Sequence, residues 1–493
     1  MRPIVYSALA GLGLYLAFPP VGIGLLAVPA VALFLFAAGS AISGRQAALA
    51  GLAFGLAFFG LLFPWLTELG LIAFVPLWLV QSVFTALIGW WVWRSRSLEG
   101  WRFVVTITAG WALMEAIRTR FPLGGFEWGV LGYTMGDLSF TRQAAQWIGT
   151  SGWSVLVVAA AAGIVVAIRS AKWLPLVSVV GASVVLGLAG MAWPAVSDGA
   201  ELRVAVVQGS TPCPGTHCAN ERFRTYQSHL ALTRSLAPGA VDLVVWPEGS
   251  SGGLSADPIL DPAIGEEMGA EASRLGAVLL AGGDRPISDT EWLNANVVFD
   301  ESGTIIGEYR KRHPVPFGEY IPLRSWFTWI PELAAIPRDM RPGDGPVVFD
   351  VSWGRLGSVV SWEGSFARFP RDEVDAGAQV LVVATNQGSY PYSYASEQFI
   401  AMTRMRSAEL GTDVIHAGVV GRSTLITDGG VVGPVTGQAT AEVLTGSVQL
   451  RTAGPTLFTR WGNWVRTSAI LAGVLVTWSS FVPERLVRRT VRT

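Results

Sequence analysis

Between Ile4 and Ala192 one apolar run follows another with only short breaks, and this most restricts what the chain can fold into. An α-helix needs about 20 residues to cross a ~30 Å hydrocarbon layer. Seven runs approach that length: roughly Ile4 to Phe18, Ile23 to Gly39, Ala47 to Trp65, Leu71 to Trp93, Phe103 to Ala116, Trp153 to Ile168 and Leu174 to Ala192. With 51% hydrophobic and 14% charged residues among 493, and 21 Trp, the chain is too apolar for an ordinary soluble domain. A multi-span membrane protein is expected. The net charge of −1 gives no footprint for nucleic acid.

From Glu201 to about Pro455 the texture changes to short apolar strands, "LRVAVVQG", "DLVVWPE", "AVLLAGG" and "QVLVVATN", separated by polar helical and loop segments. That alternation predicts an α/β domain. A last apolar run, Thr467 to Phe481, precedes the basic end "PERLVRRTVRT" and makes an eighth span. The expected organisation is a transmembrane domain over 1–195, an α/β domain over 200–455, a closing helix over 465–483 and a basic tail over 484–493. The first run follows Arg2, as in a secretory signal, but "AFPPVGIG" offers no small-x-small cleavage site, so a retained helix is expected. Basic residues at alternate breaks (Arg2; Arg45; Arg94, Arg96 and Arg102; Arg169 and Lys172; Arg485, Arg488, Arg489 and Arg492) share one face if there are eight spans. The positive-inside bias makes that face cytoplasmic, with both termini inside and the α/β domain outside. Between the fifth and sixth spans, "RTRFPLGGFEWGVLGYTMGDLSFTRQ" sets Arg118, Arg120 and Arg142 on the other side, where they pair either with lipid phosphates or with Glu115, Glu127 and Asp137.

Four pieces of the α/β stretch carry chemistry. "DLVVWPEGS" ends a strand on Glu248, and open α/β sheets collect ligands at the carboxyl ends of their strands. "YRKRHPVPFGEY" holds Lys311, His313 and Glu319 in a proline-rich loop. "LGSVVSWEGSF" ends a strand on Ser361, with Glu363 two residues on. "AQVLVVATNQGSY" ends on Asn386 and Gln387 and leads into the helix "SEQFIAMTRMRSAEL". Taken singly, a strand-end Glu is most often a turn residue and a basic tripeptide a solvated face. Their order is more specific.

A strand ending in Glu, then a loop lysine, then a strand-end nucleophile resembles the nitrilase superfamily of carbon-nitrogen hydrolases. With the membrane spans, the chain resembles the apolipoprotein N-acyltransferase family over nearly its whole length. Supporting motifs are "WALMEAIRTRFPLGGFEWGVLGY", "VVQG", "WPE", "YRKRHPVPFGEYIP", "MTRMRSAEL" and "RWGNW". The resemblance implies an αββα sandwich held outside the membrane of a bacterial cell. It also implies transfer of a phospholipid acyl chain, through an enzyme-bound intermediate, to the N-terminal amine of a lipoprotein. The general base falls on Glu248, the oxyanion-stabilising lysine on Lys311 and two assisting carboxylates on Glu319 and Glu363. No cofactor is implied.

The family's nucleophile is a cysteine, and its position falls on Ser361. A thiol ionises near 8.5 and is easily activated, whereas a hydroxyl must pass its proton to a base during attack. The "QGSYPYSY" and "GVVGRST" segments also depart from the family's usual Trp-Phe-Gly-like and Asn-Asn-Gly-Ile-Ser-like stretches. Cys213 and Cys218, the only cysteines, lie in a Pro/Gly loop where a local disulfide is expected. His217 between them is thin support for a metal site. His229 and His416 are read as structural. Three readings stay open: an acyltransferase using Ser361, a membrane-held amidase or esterase, and an inactive homologue that binds lipids, lipoproteins or a partner enzyme.

Overall fold

In the computed structural model, residues 1–216, 218–251 and 257–479 are described. The chain divides into a helical unit (Met1–Thr67, Phe74–Trp193 and the chain from Trp461 on) and an α/β unit (Glu68–Ala73 and Pro194–Arg460).

Every apolar run that lies within these residues forms a helix. These are α1 (Arg2–Tyr15), α2 (Ala27–Gly39), α3 (Gly44–Leu62), α4 (Leu71–Arg94), α5 (Gly100–Arg118), α7 (Ala145–Ser170), α8 (Leu174–Ala192) and α14 (Trp464–Ser479). A single helical turn, α6 (Ser139–Arg142), precedes α7. Four of them, α3, α4, α7 and α8, are long and apolar enough to cross a membrane, fewer than the eight spans expected. The others fall short in length or apolarity: α1 has 14 residues and α2 has 13, while α5 carries Arg102, Glu115 and Arg118. Outward faces are apolar, with Leu87 of α4 59% exposed and Leu188 of α8 58% exposed. Such faces suit a hydrocarbon surround.

Helices without a hydrophobic drive between them associate through small residues that let backbones approach. A Cβ placed on Gly89 would overlap the Ala47 carbonyl oxygen, so α3 and α4 touch there, and the Thr85 hydroxyl bonds Gly51 O at 2.9 Å. The closing helix is laid on α5 the same way, with Gly473 against Ala109, and Asn463 accepts from Ser151 of α7 at 2.7 Å.

The 118–142 connection corrects one expectation. Arg118 and Arg142 are each 2% exposed rather than set out toward lipid phosphates. Arg118 donates to Phe126 O, Trp128 O and Gln81 Oε1 at 3.1, 2.9 and 3.2 Å, and Arg142 to Gly136 O at 2.9 Å. These arginines hold the loop largely through its own carbonyls. Arg120 alone of the three is exposed.

The α/β unit has two sheets. The first orders its strands β13 (Glu442–Gln449), β1 (Glu201–Gln208), β2 (Leu243–Trp246), β3 (Val278–Pro286), β4 (Glu291–Phe299) and β5 (Ile305–Arg310), with β6 (Asp339–Met340) beside β4. The second orders β12 (Val431–Val435), β11 (Thr424–Thr427), β10 (Val414–Gly418), β9 (Val380–Thr385), β8 (Gly354–Val360) and β7 (Val348–Val351). Each has a parallel centre, β1-β2-β3 and β8-β9-β10. Strands buried on both faces read as continuous apolar runs, which is why "LVVW" and "VLVVAT" show no alternation.

Helices α9 (Glu221–Arg234) and α10 (Pro262–Leu275) cover the first sheet, where Tyr226, Leu230, Met268 and Leu275 pack on Val244, Trp246 and Leu279. On the second sheet lie α11 (Arg368–Asp375) and α12 (Ala395–Leu410), and the short α13 (Leu457–Trp461) follows β13. The inner faces meet through buried polar pairs, Asn296 to Ser358 at 2.6 Å and Ser423 to Gln208 at 2.7 Å. The result is an αββα layering, as the resemblance to carbon-nitrogen hydrolases implied. The basic tail lies outside the described residues.

Candidate active site

Glu248, Lys311, Glu319 and Ser361 come together at the ends of β2, β5 and β8. After the buried β2, Pro247 lacks the N–H that would continue the ladder, and Gly249 (φ 70°) turns the chain. Glu248, 6% exposed, is left at the strand end. Past β5, the Lys311 N–H still pairs with Asn294 O at 2.8 Å, so the side chain is held like a strand residue although the strand is over. The proline-rich loop then folds back, and Glu319 accepts from Val315 N through Oε2 at 2.7 Å while offering Oε1 to Lys311.

Lys311 is 1% exposed and is the hub. Its Nζ lies 2.6 Å from Glu319 Oε1 and 3.4 Å from Glu248 Oε1. Burial opposes its charge, but Glu319 and Glu248 outweigh burial and raise its pKa. Glu248 is shifted the other way from an ordinary salt-bridged acid: burial raises it, and Lys311 offsets this only in part. The pair thus joins a permanent ammonium to a carboxylate with enhanced proton affinity. Removing one partner of such a buried pair typically costs about 3–5 kcal/mol, because the other charge is stranded.

Ser361 sits at φ +56°, in the left-handed region, where β8 turns into a short 3₁₀ segment, Ser361–Ser365. A non-glycine residue there is strained by about 1–2 kcal/mol. The turn brings its hydroxyl beside Glu248, where it offsets a little of the rise that burial imposes on that acid. Glu248 Oε2 is buried and has no hydrogen-bond partner among the described residues.

Glu363 does not join this cluster directly. It accepts from Arg312 N at 2.6 Å and His313 N at 2.9 Å through Oε1, and from Val360 N at 2.9 Å and Tyr309 Oη at 2.8 Å through Oε2. One carboxylate therefore ties the Ser361 turn to the loop bearing Lys311. His313 is stacked on Trp362 at 4.5 Å between ring centroids, and burial, then Arg368 and Lys311, pushes its pKa down to about 3. It is a neutral packing element.

Asn294, in mid-β4, was not singled out from the sequence. Its Nδ2 donates to Glu248 Oε1 at 2.7 Å and to Glu319 Oε1 at 3.3 Å, holding the two acids around the lysine. The signal available was "LNANVVF", with two asparagines at alternate positions of an apolar strand and so on one face.

Cys213 and Cys218 are bonded to each other, so neither offers a free thiol. His217 falls outside the described residues. His229 is buried on α9, accepting from Gly209 N at 3.0 Å, and His416 is buried on β10. Among the described residues, no group of three or more His, Cys, Asp and Glu is placed to hold a metal ion.

A carboxylate against a strained hydroxyl, with an ammonium alongside, is an arrangement for acyl transfer through an ester. Comparison with known proteins gives the family. The model of the apolipoprotein N-acyltransferase N-terminal domain matches residues 10–163, and that of carbon-nitrogen hydrolases matches 203–457. An apolipoprotein N-acyltransferase of Geobacter metallireducens is 29% identical over 505 residues, covering 96% of this chain and 94% of that protein. One from Mycolicibacterium smegmatis is 28% identical over 544 residues, covering 100% and 88%. A third, from Sinorhizobium medicae, is 30% identical over 394 residues, covering 75% and 71%. The chain belongs to the apolipoprotein N-acyltransferase family, and its α/β unit is a carbon-nitrogen hydrolase domain.

Proposed function

We propose that this membrane N-acyltransferase works through an acyl ester on Ser361, taking the acyl chain from a phospholipid and delivering it to the N-terminal amine of an apolipoprotein. The observation that carries the reading is the hub itself: Lys311 Nζ held at 2.6 and 3.4 Å by two carboxylates, one of which faces the hydroxyl of a strand-end serine in a left-handed turn.

In the first half-reaction Ser361 Oγ attacks the donor's ester carbonyl while its proton passes to Glu248. The oxyanion that forms is stabilised by the Lys311 ammonium, and Glu248 returns the proton to the departing glycerol oxygen. In the second, the acceptor amine attacks the ester carbon, loses a proton to Glu248, and Ser361 Oγ leaves with that proton. A base worth about 10²–10⁴-fold offsets part of what a hydroxyl lacks relative to a thiolate. Glu319 and Asn294 position the lysine and the base.

The chain is read as lying in the bacterial cell membrane with eight crossings, both termini cytoplasmic and the hydrolase domain outside. The placement of helices over the apolar runs and the alternation of basic breaks support this. The disulfide suits an oxidising exterior.

The test is mass spectrometry of the purified chain incubated with phospholipid and a diacylglyceryl peptide. Acyl mass on the segment containing Ser361 and on the peptide amine is expected in wild type and absent in Ser361→Ala. Absence of both in wild type, with activity gained in Ser361→Cys, would sink the reading.

A further inference from the structure

Beside the catalytic cluster stands a third carboxylate that neither half-reaction uses. Asp284 is directly opposite Asn294 in the antiparallel β3–β4 pair, so the two side chains leave the same face of the sheet. Cβ atoms of such partners lie about 5 Å apart. Asn294 offers its NH₂ to Glu248 and Glu319, and only the nitrogen end can meet two carboxylates, so its amide orientation is fixed. Oδ1 is turned away from them. Asn294 is 3% exposed, and this oxygen receives no hydrogen bond.

Asp284 is itself poorly matched. Its ion partner among the described residues is Arg222 of α9, 3.8 Å away and 58% exposed, while the Asp284 side chain is 26% exposed. A pair that long and that wet contributes little. Burial, helped by repulsion from Glu248 and Glu319, outweighs Arg222 and Lys311 and pushes the carboxyl up to about 6. Three carboxylates and an amide oxygen therefore share one fully buried cation, and that cation is already committed to Glu248 and Glu319. What would complete the set is a small cation carrying several N–H donors and arriving from solvent. A protonated primary amine has one charge and three donors.

We infer that Asp284, together with Asn294 Oδ1, receives the protonated amino group of the acceptor and holds it beside the cluster; this rests on the acyl-transfer reading above. The bound ammonium gives one proton to water, and the amine nitrogen bonds to the acyl carbon of the Ser361 ester. A second proton passes through Glu248 to Ser361 Oγ as the C–O bond breaks, leaving an amide and a free serine. Asp284 acts as a specificity residue for amines over neutral acceptors.

The test separates the two half-reactions on the full chain in phospholipid micelles. In Asp284→Asn, acyl loading of Ser361 measured without acceptor is expected to stay within twofold of wild type, while KM for the diacylglyceryl peptide rises about tenfold, more than kcat falls. Asp284→Glu is expected to recover most of the loss. With a peptide whose terminal amine is replaced by a hydroxyl, wild type and Asp284→Asn are expected to share one KM. A peptide KM within twofold of wild type in Asp284→Asn would overturn the inference, as would a fall in loading parallel to the fall in transfer. Failure of wild type to load Ser361 would overturn the acyl-ester reading and this inference with it; intact loading and transfer with an unchanged KM would overturn this inference alone.

Discussion

At the scale of single residues, the substitution of serine for a thiol nucleophile moves the burden of activation onto Glu248. Its raised pKa is the useful direction, since a carboxylate with higher proton affinity draws the Ser361 proton more strongly. The same shift has a cost in acid. Glu248 works only as the carboxylate, so kcat/KM is expected to fall as pH drops through a value above the ordinary 4.5, and a pH profile between 4 and 8 measures it. Glu248→Gln is expected to lower Ser361 loading by about 10²–10⁴-fold without unfolding the domain. Glu248, Lys311 and Ser361 were legible because each closes a strand or opens a loop within a distinctive short motif. Asn294 and Asp284 lie inside strands, in "LNAN" and "GGDRP", where nothing local marks them; their importance arises from a register that only tertiary pairing sets. That Arg118 and Arg142 turn inward rather than toward lipid was not legible, because several of their acceptors are backbone carbonyls with no signature in sequence.

Among the elements, the join between the Ser361 turn and the Lys311 loop matters most. Four donors converge on Glu363, three of them backbone N–H groups that lose this acceptor if it is removed. Glu363→Ala is expected to cost at least about 3 kcal/mol of stability in denaturant unfolding, with loading of Ser361 lost in step, while Tyr309→Phe costs about 1 kcal/mol. A small effect of Glu363→Ala would mean that the two segments are held independently. The strands were readable as buried apolar runs and the helices as hydrophobic stretches. Helix length was less so: a run such as Ile4 to Phe18 gives a 14-residue helix because Pro19 and Pro20 follow closely and stop it.

For the whole molecule, the number of membrane crossings has a parity that can be read directly. Seven crossings before Glu201 put Met1 and the hydrolase domain on opposite sides, whereas the four long apolar helices alone would put them on the same side. A reporter active only outside the cytoplasm, fused after Trp193, is expected to be active, and one fused after Ser479 inactive. Activity from both fusions, or neither, would refute the eight-crossing arrangement.

The pairing of β1 with β13 bears on the order in which the protein can be assembled. Glu201 faces Gln449 in that antiparallel pair, so the first and last strands of the hydrolase domain are neighbours. The chain therefore returns to the place where it entered, however long the intervening stretch, and the closure entropy of that detour is met by the domain's own folding. Helix α14, which covers α5 at Ala109, and Asn463 just before it, which accepts from Ser151 of α7, are made only after the hydrolase domain. Until then those two helices have a face waiting.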